Sequence, residues 1–122
     1  YEWCIYLFVL VFIFDLLMKG IITKEVDEFI KKYFDPYRLR RKVMSQIREA
    51  EIVVQSMGYE LEPDVVLEAL KIVVEITEYQ SKWNMDAYPF QIRKTLDEGV
   101  LSRHIIEHYR IREIIKRRGL TE

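Results

Sequence analysis

Apolar residues recur at helical spacing between prolines and glycines, and that rhythm decides what this chain can become. After Pro36, the residues Val43, Ile47, Ala50, Val54 and Met57 step by four, three, four and three, the pattern of one buried helical face. Gly58 is placed to stop that helix. No segment alternates apolar and polar residues with period two between hairpin turns, so no sheet is expected. The fold class predicted is all-α, a compact bundle of five or six helices. With 122 residues it forms a single domain over 1–122, with no room for two independent cores.

The same punctuation divides the rest of the chain. Thr23 is placed to cap a short helix over 24–34, with Glu25, Asp27 and Glu28 in its first turns, where acids suit the helix dipole. Asp35-Pro36 reads as a capping acid before a first-turn proline, opening a helix that runs to Met57. Glu62-Pro63-Asp64 opens another, carried to about Lys82. There Glu68, Lys71, Glu75, Glu78 and Lys82 make one narrow polar stripe beside a wide apolar face over 65–79, so this helix should be mostly buried. Residues 84–88 read as a loop, Pro89 as the start of a short helix ended by Gly99, and 102–118 as a last helix stopped by Gly119.

The opening segment differs from the others. Residues 3–18 are apolar apart from Asp15 and carry Trp3, Tyr6, Phe8, Phe12 and Phe14. As a helix they reach about 24 Å, short of the roughly 30 Å hydrocarbon core of a bilayer. A central helix covered by its neighbours or by a partner is preferred, and a membrane span is the second reading. The sequence begins at Tyr1 rather than Met, so the natural chain is expected to begin upstream.

Formal net charge is -1, which excludes a uniformly basic nucleic-acid coat. A single cysteine, Cys4, excludes a disulfide framework or a four-thiolate metal site within one chain. Fifteen Ile, fourteen Glu, ten Arg and nine Lys stand against one Asn and four Gln, a balance that reads as a thermophile, archaeal and cytoplasmic protein.

Charge is nonetheless organised locally. Arg38, Arg41, Ser45 and Arg48 fall on one face of the helix after Pro36, and Arg103, Arg110 and Arg117 recur every seven residues on the last helix. An ion-paired surface explains both stripes. Contact with RNA phosphates is the functional reading of Arg38, Arg41, Arg48, Arg110 and Arg117.

The two histidines, His104 and His108, lie four apart, and His-x-x-Glu-His is a zinc-peptidase spelling. That site needs a further ligand well downstream, whereas the sequence runs only fourteen residues beyond His108, so no metal site is assigned. On a helical wheel His108 falls among Leu101, Ile105, Ile111 and Ile115, as a core or interface histidine would.

Arg103 and His108 are separated by four residues, and Ser102 is placed to cap the helix and leave Arg103 at its first position. This resembles the R-x4-6-H motif of HEPN domains, and Tyr1-Glu2-Trp3-Cys4 resembles the start of an early helix in archaeal members. The resemblance implies a small helical bundle, often dimeric, acting on RNA or nucleotides as a cofactor-free, metal-independent ribonuclease of toxin or defence type. It further implies His108 as general acid or base, Arg103 on the scissile phosphate and Tyr109 holding substrate or orienting His108. A homodimer would bring two such pairs into one cleft.

A second class of function is a non-catalytic helical interaction subunit of a nucleic-acid-processing or membrane-associated complex. Residues 19–48 are similar to the helical C-terminal domain of archaeal primase large subunits and their cluster-free accessory relative. A ribonuclease requires Arg103 and His108 together in a cleft; an interaction module requires His108 packed and no convergent polar groups.

Overall fold

The computed structural model describes residues 20–119. Among these there are five α-helices and no strand, so the chain is an all-α bundle. In the numbering used below, α1 is Lys24–Tyr33, α2 Arg40–Ser56, α3 Pro63–Gln80, α4 Tyr88–Asp97 and α5 Val100–Arg117. Short 3-10 turns at Asp35–Tyr37 and Met85–Ala87 precede α2 and α4. The apolar segment 3–18 and the motif at residues 1–4 lie outside the described residues. Among those described, no helix is long and apolar enough to cross a membrane.

Helix α3 is the centre of the bundle and packs against α1, α4 and α5, while α5 also packs along α2. Val65, Val66, Ala69, Leu70, Val73 and Val74 are buried on it, leaving Glu68, Lys71, Glu75 and Glu78 in solvent as the polar stripe requires. Buried Thr77 resolves its hydroxyl within the helix, donating to the Val73 carbonyl at 2.8 Å. Tyr79, expected on the apolar face, is exposed instead: Thr77 and Ser81 on either side of it are fully buried, and Tyr79 lies off their stripe around the helix. The stripe on α2 behaves as read: Val43, Ile47, Ala50 and Val54 are buried and Met57 is partly buried.

Local signals set most helix ends. The Thr23 hydroxyl accepts from the Val26 N–H at 3.3 Å, and Pro63 begins α3 where no intrahelical donor is needed. Asp35-Pro36 behaves differently from the expectation. It forms a 3-10 turn, Arg38 follows in the left-handed region at φ 60°, and α2 begins only at Arg40. The reason is tertiary. Phe34 is buried and its carbonyl accepts from the Leu39 N–H at 3.2 Å, folding the chain back into a corner. The Asp35 carboxylate accepts from Arg40 Nε at 3.1 Å instead of capping, and Arg40 Nη2 reaches Asp27 Oδ1 at 2.8 Å. Arg38 therefore stands off the helical face that carries Arg41 and Arg48.

The hydrogen bond from Arg40, and then that from Lys31, hold the Asp27 carboxyl below its usual range. A carboxylate so held takes up its proton more readily in the unfolded chain than in the folded one. Its stabilising contribution is complete above the unfolded pKa and disappears as pH falls below about 4. Urea midpoints measured between pH 6 and 2.5 (~3.5 units spanning that value) are expected to fall less steeply in Asp27→Asn than in the parent chain. Equal slopes would refute the pairing.

Candidate functional site

Helix α5 carries the residues that sequence reasoning put forward. Gly99 precedes it at φ 75°, the left-handed geometry glycine adopts without strain, and lets α5 start at Val100, earlier than the expected Ser102. Ser102 is thus inside the first turn, buried, with its hydroxyl donating to the Gly99 carbonyl at 3.3 Å. It does not cap, and Arg103 does not stand at the first helical position.

Leu101, Ser102, Ile105 and Tyr109 form the buried stripe of α5. Arg103 is exposed and donates from Nη2 to the Glu98 carbonyl at 3.2 Å. His108, five positions on, is turned about 140° around the axis from Arg103. It is half-buried, edge-on to Tyr109 with ring centroids 5.2 Å apart. Its Nε2 lies 3.3 Å from Nη2 of Arg112. An arginine has only donors to offer, so a hydrogen bond between the two has Nε2 as its acceptor. Ile111 and Ile115, expected beside His108 in the core, are exposed because α5 runs past the other helices.

The arginine that meets His108 is therefore Arg112, not Arg103. Arg112 also pairs with Glu62 at 3.5 Å and places its guanidinium carbon 5.2 Å from the centre of the Tyr109 ring. Helical spacing of four was the signal that could have found it. Tyr109, expected to hold substrate or orient His108, is fully buried. Its hydroxyl accepts from the Glu62 N–H at 2.9 Å and donates to the Glu60 carbonyl at 3.1 Å. Burial raises its pKa, as expected of a phenol that stays neutral. Both of these hydrogen bonds of the hydroxyl go to the backbone before α3.

The basic stripes are engaged in the same local way. Arg110 pairs with Glu107 at 2.9 Å, and Arg117 with Glu113 at 3.2 Å. Arg41 and Arg48 are exposed on α2. Among the described residues no group of three or more His, Cys, Asp or Glu side chains is placed to hold a metal ion.

A different surface gathers side chains that sequence reasoning left aside. Tyr33 at the end of α1, Tyr37 in the first 3-10 turn, and Tyr88 and Pro89 at the start of α4 line an open groove of about 730 Å³. Tyr37 and Tyr88 stand with ring centroids 5.6 Å apart at 47°. Phe29 supports Tyr33 from beneath at 4.5 Å. The groove continues past Tyr37 and Pro89 into a hollow of about 320 Å³ bounded by Phe90 and Arg93. In the stretch from Tyr79 to Phe90, Trp83 is 90% exposed, Tyr79 77% and Phe90 67%, with Met85 close behind at 64%. The signal was available: five large apolar side chains (Tyr79, Trp83, Met85, Tyr88 and Phe90) crowd twelve residues that contain a helix end and a loop, where little core can form.

No family model matches the sequence, and neither a curated protein nor a solved structure matches it.

Proposed function

We propose that this chain is a non-catalytic helical interaction module that docks a partner protein on the aromatic surface between α1 and the start of α4. The observation that carries this reading is the exposure of Tyr79, Trp83, Met85 and Phe90 from the end of α3 to the start of α4, where Met85 lines the tyrosine groove and Phe90 the hollow beyond it. Single exposed apolar residues are ordinary; a concentration of them marks an interaction site, and tyrosine and tryptophan are the side chains that dominate binding energy at such sites. The polar residues of α5 favour the same conclusion. Arg103 and His108 point to different sides of the helix, and Nε2 of His108 faces Arg112.

Two measurements test the reading. Single-stranded RNA incubated with the protein and a chelator is expected to remain intact. Chelator-resistant cleavage that disappears in both Arg103→Ala and His108→Ala would overturn the proposal in favour of a HEPN-type ribonuclease. In parallel, peptides selected from a random display library should lose binding to the Trp83→Ser/Phe90→Ser double variant. Both side chains are exposed, so the fold should survive their replacement. Selected peptides that bind parent and variant equally would remove the surface from consideration.

A further inference from the structure

The tyrosine groove offers hydrogen-bond donors that the chain itself does not use. The hydroxyls of Tyr33, Tyr37 and Tyr88 have no hydrogen-bond partner among the described residues. Burial, then the nearby Tyr37, Glu78 and Tyr33, push the Tyr88 pKa up to about 12, so this phenol keeps its proton at any physiological pH. Three unspent donors on ring walls call for a ligand with free acceptors and flat apolar faces.

A helical ligand does not meet that need, because its carbonyls are already bonded within the helix. An extended polyproline-type backbone leaves every carbonyl free, and its pyrrolidine rings lie flat on aromatic side chains. Charge adds a direction. Among the described residues Glu78 and Asp86 lie on the main groove with no ion-pair partner, while Arg93, equally unpaired among them, lies on the hollow beyond Tyr37 and Pro89. The cation that lines the main groove, Lys32, rests its ammonium 5.2 Å from the centre of the Tyr33 ring. A phosphate backbone would set its charge against the two carboxylates, which disfavours single-stranded nucleic acid here.

We infer that the groove binds an extended, proline-containing peptide segment whose basic side chain lies toward Glu78 and Asp86 and whose acidic side chain reaches Arg93. This rests on the docking function proposed above and names the chemistry of the partner. The proline rings lie against the groove-facing sides of Tyr37 and Tyr88, whose own rings touch each other, and the phenols donate to the peptide carbonyls. The flanking charges choose which way round the peptide lies, since a polyproline helix is otherwise nearly symmetric under reversal.

A fluorescein-labelled peptide Arg-Pro-Pro-Leu-Pro-Pro-Glu, titrated by anisotropy against the full chain, is the probe. Saturable binding is expected. Tyr37→Phe and Tyr88→Phe, which keep the rings and the packing, should each weaken it roughly two- to tenfold. Glu78→Gln combined with Asp86→Asn should weaken it by roughly two- to twentyfold, and less in high salt. The same peptide with glutamate in place of its arginine should bind more weakly to the parent chain.

No binding of the proline peptide, or binding indifferent to all four substitutions, overturns the inference. If a proline-free amphipathic helical peptide binds more tightly and depends on Trp83 and Phe90, the docking surface stands and the extended ligand falls. If oligouridylate displaces the peptide and binds more tightly, the partner is nucleic acid and the inference falls with it.

Discussion

Replacing Tyr109 with alanine is expected to lower the folding stability by roughly 3–5 kcal/mol, a large share of the roughly 5–15 kcal/mol that holds a domain of this size. The ring is fully buried and packs against Tyr59 with centroids 5.6 Å apart. Its hydroxyl bridges the Glu60 carbonyl and the Glu62 N–H, and so clamps the extended approach to α3 onto the middle of α5. Tyr109→Phe keeps the ring but leaves one donor and one acceptor without their partner, which should cost about 1–3 kcal/mol. Urea unfolding followed by circular dichroism measures both, with the midpoint moving and the slope unchanged. A Tyr109→Phe protein as stable as the parent would show that the bridge is not formed. A catalytic tyrosine predicts the opposite pattern, in which activity is lost and stability is kept.

Phe34→Ala is expected to be as severe, at roughly 3–5 kcal/mol. Phe34 sits where α1 ends and the chain turns toward α2. Its side chain is fully buried, its N–H donates to the Ile30 carbonyl at 2.9 Å, and its own carbonyl accepts from the Tyr37 and Leu39 N–H groups. The ring anchors the corner from inside, while Arg40 ties Asp27 and Asp35 together from outside. Emptying the inner position leaves a cavity beneath the turn, and the outer ion pairs, partly exposed and screened, are too weak to compensate. The same denaturation experiment checks it. A loss under about 1 kcal/mol would mean that the corner is held by its backbone hydrogen bonds alone.

These two residues also mark the limit of what could be read from residue order. Around Asp35-Pro36 an acid followed by proline satisfies the pattern of a helix start, and a 3-10 turn satisfies it equally well. The burial of Phe34 and the reach of Arg40 to Asp27, thirteen positions away, selected the turn and displaced Arg38 from the α2 face. At α5, a serine before the expected stripe looked like a cap, yet Gly99 had already turned the chain and α5 began two residues earlier. Tyr79 belongs by residue order to the wide apolar face of α3, but only the stripe carrying Thr77 and Ser81 is covered there.

The sequence by itself determined the all-α class, the number of helices among the described residues, most of their ends and the buried stripes of α2 and α3. Those features arise from interactions within about four residues, such as capping hydroxyls, proline at the first turn, glycine at left-handed angles and apolar recurrence along one face. Tertiary structure alone decided which polar residues meet. Tyr109 found its partners 47 and 49 positions away, and Arg112, which no short motif singled out, met both His108 and Glu62. Tyr33, Tyr37 and Tyr88 became one groove only when α1 and α4 were brought together beside α3. Local rules specify the helices because the groups that satisfy them are near neighbours in the chain. The sites depend on which helix faces come into contact, and that is settled by packing the whole core at once.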